Sequence, residues 1–405
     1  MTSSVLLVVR KASKLEHSNE NKMDCLEMAG GKMKPVVKEI FLLRFVACLG
    51  IVLMHSVTLG LDLFDIEKST IFIVLTSLQL ALMFGTPIFI FISEFVIAYS
   101  YPHQLPKKFY KKRLNYIFLP FIFIGFLDAA FHSISMTNVE FDKKIILNFF
   151  EGDFHGYFIV IVFQFYFLHP LFVKFVVSKY RAYQVIMTAC LVNFSYLAVF
   201  NFFDPFRYLS FLPYLEVEWN VLNKMPFPAW IAYFVVAYYC GKNYEQFLLL
   251  LQRLRYFLPS VGILTLGILL ASQWSGLITE VHSKRIDVIP YTLSVAFLLF
   301  YVANKVRYMP KFVIFISRYS FGIYLLHPLF IILLKTIFIK FIDDVSVFTV
   351  IITTFLCSTI CSICATYLLN KWRFGPYLVG QVHAEESLAN DKKIAGKTKQ
   401  VLHQR

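Results

Sequence analysis

The chain has 405 residues, of which 58% are hydrophobic and only 16% charged, with a mean hydropathy of +0.65. Soluble domains average about 45–50% apolar and about 25% charged residues. The composition therefore excludes a disordered chain, a secreted disulfide scaffold and an ordinary cytosolic enzyme, and leaves a polytopic membrane protein. The net charge of +14 would suggest nucleic acid in a soluble protein. Here the basic residues fall in the tails and in short loops between apolar runs, so they report membrane topology and no nucleic-acid partner is expected.

Residues 1–36 are mixed and polar after a short apolar patch, Val5–Val9. That patch is far too short to span a bilayer and no cleavage site follows it, so the segment reads as a cytoplasmic N-terminal tail. Ten apolar stretches come next, at 38–60, 71–99, 114–133, 156–177, 183–203, 227–246, 256–273, 288–304, 313–338 and 346–369. Each is long enough to cross a hydrocarbon core of about 30 Å. Continuous apolar runs without alternation predict helices rather than barrel strands. The second and ninth are long enough to tilt or to contain a break. From about Lys371 the chain is charged again and reads as a mobile cytoplasmic tail, 371–405.

Charge sets the orientation. With the N-terminus inside, the inner loops hold Lys107, Lys108, Lys111, Lys112 and Arg113, and later Lys305, Arg307 and Lys311. The outer segments collect acids, among them Asp62, Glu140, Glu151, Asp153, Glu216 and Glu218. The expected architecture is all-α: a polytopic membrane protein with about ten transmembrane helices over 37–370 and both termini cytoplasmic. The seven cysteines are odd in number and six lie inside apolar segments, so free buried thiols are expected. Cys357, Cys361 and Cys364 imitate metal spacing, but no nearby His or carboxylate completes a ligand set, and no metal is expected.

Ionisable residues inside spans are costly and are candidates for function. Arg44 and His55 are 11 residues apart on the first span, three turns plus roughly 20°, so they share one face about 16 Å apart along the axis. They could serve a cytosolic anion and a titratable step further along the same groove. Alternatively, Arg44 reaches the inner headgroups and His55 bonds a neighbouring helix. On the ninth span Ser320, Tyr324 and His327 form one stripe, and Pro328 loosens the helix just after the imidazole. That pattern suits either a cavity wall or a polar seam between helices. His169-Pro170 reads mainly as a kink, and Glu94 as a pairing or a site residue. Asp128 and His132 are spaced for an acid–imidazole pair, and His155 and Tyr157 open the fourth span as an acceptor entrance or an interfacial anchor. The basic run Lys107–Arg113 fits topology signalling or a phosphorylated donor. There is no nucleophile elbow, P-loop, dinucleotide fingerprint or zinc-protease motif.

Taken together, these residues resemble the acyltransferase-3 family of integral membrane acyltransferases. Arg44 through Cys48 and Gly50 to His55 is similar to that family's basic residue, ten-residue gap and histidine. Lys111-Lys112-Arg113 followed by Pro120 resembles its basic loop, with Tyr116 where a second Arg would stand, and Ser317–Pro328 resembles its late helix. Phe84-Gly85-Thr86-Pro87 and Gly152–Tyr157 resemble the branch tied to the poly-N-acetylglucosamine intercellular adhesin, described either as polymer exporter or as O-succinyltransferase. The resemblance implies transfer of an acyl group, acetyl or succinyl, from a cytosolic acyl-CoA-type donor to a hydroxyl of a cell-surface glycan or glycolipid. It also implies a place in the cell membrane, no bound cofactor and a glycan synthase as a further partner. His55, His327 and Tyr324 are the implied catalytic residues. Arg44, Lys111, Lys112 and Arg113 would hold the donor, and His155, Tyr157 and Asp128 would face the acceptor. The alternative is export of such a polysaccharide without covalent chemistry.

Overall fold

The computed structural model describes residues 36–64, 66, 69–102, 104–135, 140–203 and 215–382. Most of both expected tails, residues 1–35 and 383–405, lies outside them. In chain order the helices are α1 (Glu39–Leu63), α2 (Thr70–Leu82), α3 (Gly85–Ser100), α4 (Phe109–Arg113), α5 (Leu119–Ser135), α6 (Phe141–Ile146) and α7 (Tyr157–Phe172). They continue as α8 (Ala182–Phe202), α9 (Leu215–Lys224), α10 (Ile231–Lys242), α11 (Tyr244–Arg253), α12 (Phe257–Trp274), α13 (Val288–Lys305), α14 (Lys311–Phe338), α15 (Val347–Lys371) and α16 (Gly375–Val379). No strand occurs among the described residues. The chain is an all-α, multi-pass membrane protein.

Nine helical runs among the described residues are long and apolar enough to cross a membrane. The remaining apolar stretch, 227–246, forms one 3₁₀ turn, Phe227–Trp230, and the 12-residue α10. Together these rise roughly 26 Å, a little short of a bilayer core. The shortfall is tolerable because α10 is wrapped by protein: Tyr233, Phe234, Ala237, Tyr238 and Gly241 are all buried. Its Gly241 lies against the Phe95 carbonyl of α3, where a β-carbon has no room. On its other side, Asn193 of α8 donates to the Ala229 carbonyl and accepts from the Ala232 amide.

Both of the longest stretches are interrupted. The second is a 31-residue run, Thr70–Ser100, that turns at Met83–Phe84 between α2 and α3. Gly85 then packs directly on Ile51 and the Ala47 carbonyl of α1. The ninth contains Pro328 within α14 and passes into a 3₁₀ turn, Ile339–Asp344, with Phe341 non-helical. Helices α14 and α15 meet along small residues. Thr354, Ser358, Ser362 and Thr366, four apart on one face of α15, are fully buried, and Gly322 of α14 lies against Thr366. Without a hydrophobic drive between helices in lipid, such close backbone approach is what holds a seam together. Residues on the outer faces, such as Leu191, Ile263, Leu264 and Ile360, are exposed and apolar, as lipid contact requires.

The helices alternate between a basic end, which carries Arg44, Arg113, Lys242, Lys305 and Lys371, and an opposite end, which carries Asp62, Asp153 and the 275–287 loop. That loop is fixed by Arg285, which is fully buried. Its guanidinium donates to Asp287, Gln273, Ser272 and the Glu280 and Leu269 carbonyls, so no donor direction is wasted. At the basic end the expected tail boundary at 371 falls inside packed structure. Asn370 bonds the Gly380 carbonyl and the Val382 amide, Tyr377 stacks on Tyr116, and Val379 is buried. Residues 372–382 fold back onto the helices because α16 offers apolar side chains that the charge-rich remainder lacks.

Candidate active site

Helices α1 and α14 run side by side in the same direction, and their polar stripes are in register. Cys48 and His55 are seven residues apart, as are Ser320 and His327. Two helical turns carry both pairs about 10 Å, so the partners meet level by level. The Cys48 thiol donates to the Ser320 carbonyl at 3.6 Å, and the His55 and His327 rings lie 5.4 Å apart.

A third imidazole comes from the loop before α7. Gly152, at φ 62°, ends the preceding helical turn in the left-handed region. Gly156 then lies against the Phe154 ring, leaving no room for a side chain. This tight turn puts the His155 ring 5.4 Å from His327 and 5.4 Å from Tyr324. The Tyr324 hydroxyl donates to the His155 carbonyl. His327 Nδ1 donates to the Ile323 carbonyl at 2.9 Å, which leaves Nε2 with its lone pair. The Nε2 atoms of both His155 and His327 are buried and have no hydrogen-bond partner among the described residues. Buried nitrogens left this way call for a ligand, a proton carrier or water.

Behind this cluster, Asn148 holds the Asp128 carboxylate at 3.0 Å. His132 binds mainly the Asp128 carbonyl, at 2.9 Å, with the carboxylate at 3.5 Å. Asp128 is within electrostatic reach of His155. Tyr157 reaches Ser283 of the 275–287 loop. The structure therefore gathers His55, His155, His327 and Tyr324 into one cluster, with Asp128 and Tyr157 at its edge. Among the described residues no group of three or more His, Cys, Asp or Glu side chains could hold a metal ion.

Arg44 and Arg113 lie within electrostatic reach of one another at the basic end. They repel one another, and Arg44 also feels the Tyr166 hydroxyl. The Arg113 guanidinium lies over the Tyr166 and Phe109 rings at 5.4 and 5.1 Å. Ser93 donates to the Tyr166 hydroxyl at 3.3 Å. Lys111, in contrast, is exposed on α4, and Lys112 is half-buried. Adjacent to Ser93 and Tyr166, Glu94 of α3 and His169 of α7 form a buried pair at 2.7 Å. Residues 75 apart carry no local sign in the sequence that they face each other.

Between the two clusters the α1 face is closed by apolar packing. Cys48, Ile51, Val52 and Ile323 are buried there, with Phe89 against them. A cavity of about 380 Å³ does reach His55 from the opposite end, lined by Met54, Thr58, Leu61, Asp62, Gln79, Met83 and Val281. Arg44 and the basic loop are not part of its lining.

The profile of an acyltransferase domain matches residues 37–371, the whole described helical body apart from its last turn. The chain belongs to the acyltransferase-3 family. It is 36% identical over 351 residues to a Bacillus subtilis protein named "Putative membrane-bound acyltransferase YfiQ", covering 86% of this chain and 95% of that one. It is 27% identical over 301 residues to a Staphylococcus aureus "Probable poly-beta-1,6-N-acetyl-D-glucosamine export protein", covering 73% of this chain and 83% of that one. The Staphylococcus epidermidis protein of the same name is 30% identical over 301 residues, covering 73% of this chain and 82% of that one. No solved structure matches the chain. As a member of the acyltransferase-3 family, this protein is a membrane acyltransferase.

Proposed function

We propose that this acyltransferase moves an acyl group, acetyl or succinyl, from a cytosolic acyl-CoA-type donor to a hydroxyl of a cell-surface polysaccharide. The observation that carries the reading is the cluster of three imidazoles and a tyrosine at one end of the α1–α14 seam, with a guanidinium pair at the other. Arg44 and Arg113 hold donor phosphates, a role for which two adjacent guanidiniums are suited. Lys112 and Lys111 add positive charge at that entrance. His55 takes the proton of the acceptor hydroxyl as its oxygen attacks the thioester carbonyl. The C–O bond forms, the C–S bond breaks, and the proton passes to the leaving thiolate. His327 and His155 relay the proton, Tyr324 fixes the His155 loop, and Asp128 favours the protonated imidazole. For the two ends to cooperate, the apolar closure at Cys48, Ile51 and Phe89 has to part around the donor's thioester arm.

General-base catalysis by one positioned imidazole is worth about 10²–10⁴ in rate. His55→Ala is therefore expected to lower label transfer from radiolabelled acyl-CoA to short glycan acceptors by about that factor. Absence of transfer by the purified wild-type protein, together with unchanged glycan acylation in a His55→Ala strain, would reject the reading. A second reading, export of a polysaccharide such as poly-N-acetylglucosamine, draws on the staphylococcal relatives' names and on the cavity at the opposite end. Polymer retained inside the His55→Ala strain would favour it.

A further inference from the structure

The cavity beside His55 continues the α1 stripe beyond the histidine cluster. His55, Thr58 and Asp62 lie at i, i+3 and i+7, so they share one face and rise about 10 Å from floor to rim. Gln79 and Met83 face them from the α2–α3 run, and Val281 comes from the loop fixed by Arg285. Gln79 is held in place: its amide donates to the Thr58 hydroxyl at 2.8 Å, and that hydroxyl donates to the Met54 carbonyl at 3.1 Å. The Gln79 amide oxygen remains as an acceptor. Met54, Leu61, Met83 and Val281 supply apolar walls. Asp62 is the one acidic or basic side chain among the described residues lining the cavity, apart from the imidazole on its floor. Lys335 stands 4.0 Å from it, and half of the Asp62 side chain is exposed.

These features describe a pocket with polar hydrogen-bonding groups on one wall, apolar carbon on another, and a single anion at the mouth. A pyranose ring matches it, with hydroxyls at its edge and a C–H face. An acceptor carrying phosphate or carboxylate would meet Asp62, whose charge Lys335, 4.0 Å away and partly exposed, offsets only in part.

We infer that this cavity is the acceptor subsite, taking one neutral or amine-bearing sugar residue, with Gln79 and Thr58 binding its hydroxyls and Asp62 selecting against anionic sugars. The inference rests on the transfer reading for its purpose, but the pocket can be tested by binding alone. Titration calorimetry on the purified protein would use N-acetylglucosamine oligomers, their de-N-acetylated counterparts and a uronic-acid oligomer as probes. Binding of the first two and about tenfold weaker binding of the third is expected. Gln79→Leu should weaken both bound probes about tenfold, and Asp62→Asn should remove the preference for the amine-bearing oligomer and admit the uronate. In transfer assays the same variants should raise acceptor KM far more than they lower kcat. Unchanged probe affinity in both variants would overturn the subsite whether or not transfer occurs. Variant-sensitive binding by a wild type that shows no transfer would keep the subsite and reject the transfer reading.

Discussion

The ammonium of Lys284 lies in the fixed 275–287 loop, where burial and repulsion from Lys224 push it down to about 8. A cation so placed is a cost to the fold at neutral pH. Because the folded chain releases this proton more readily than the unfolded chain, stability rises with pH from about 8 to about 10.5. Lys284→Met should therefore raise the melting temperature at pH 7, on the order of 1–3 kcal/mol in stability, and flatten the pH dependence across that window. Thermal unfolding of the nanodisc-embedded protein at pH 7 and pH 10 would check this; equal gains at both would count against it. Arg285, the next residue, shows the opposite case: it is more deeply buried, yet fully paired. The distinction between the two cations was not legible in the sequence. Their partners, Gln273 and Ser272 for one and Lys224 for the other, arrive from separate helices.

At the level of elements, the histidine cluster depends on how closely helices approach. Gly322 sits in α14 between Ser320 and Tyr324, and a β-carbon there would strike Thr366 of α15. Gly322→Ala should push α14 off α15 and disturb the level at which His327 meets His55. Overpacking of this kind costs about 1–3 kcal/mol. A lowered melting temperature that Thr366→Ala restores is expected; destabilisation that the second substitution does not relieve would point away from this contact. Helix periodicity made part of the site readable in advance. Arg44 with His55, and Ser320 with Tyr324 and His327, had to share faces. That the two faces would be parallel, seven residues to seven, depended on packing between helices 272 residues apart.

Over the whole molecule, the charge asymmetry predicts that the basic end faces the cytosol. Lys107→Cys, in an exposed position at that end, should be labelled by a membrane-impermeant thiol reagent only after permeabilisation. Lys340→Cys, exposed at the opposite end, should label in intact cells. The reverse pattern would invert the donor and acceptor sides proposed above. The same scale explains why the helical body reaches past the expected boundary at 371. Residues 372–382 carry apolar side chains, among them Tyr377, Leu378 and Val379, and the groove between α5, α14 and α15 buries Val379.

The sequence by itself determined the membrane class, the apolar stretches and the membership of each polar residue in a helical face. These follow from hydropathy and the 3.6-residue period, which act within one segment. Only the tertiary structure decided that His155 joins His55 and His327, that Glu94 meets His169, and that apolar side chains close the path between Arg44 and His55. Lipid accepts any apolar face equally, so hydropathy is silent on which helices turn toward each other. That choice falls to glycine contacts, small-residue seams and a few buried hydrogen bonds, all formed between residues distant in the chain.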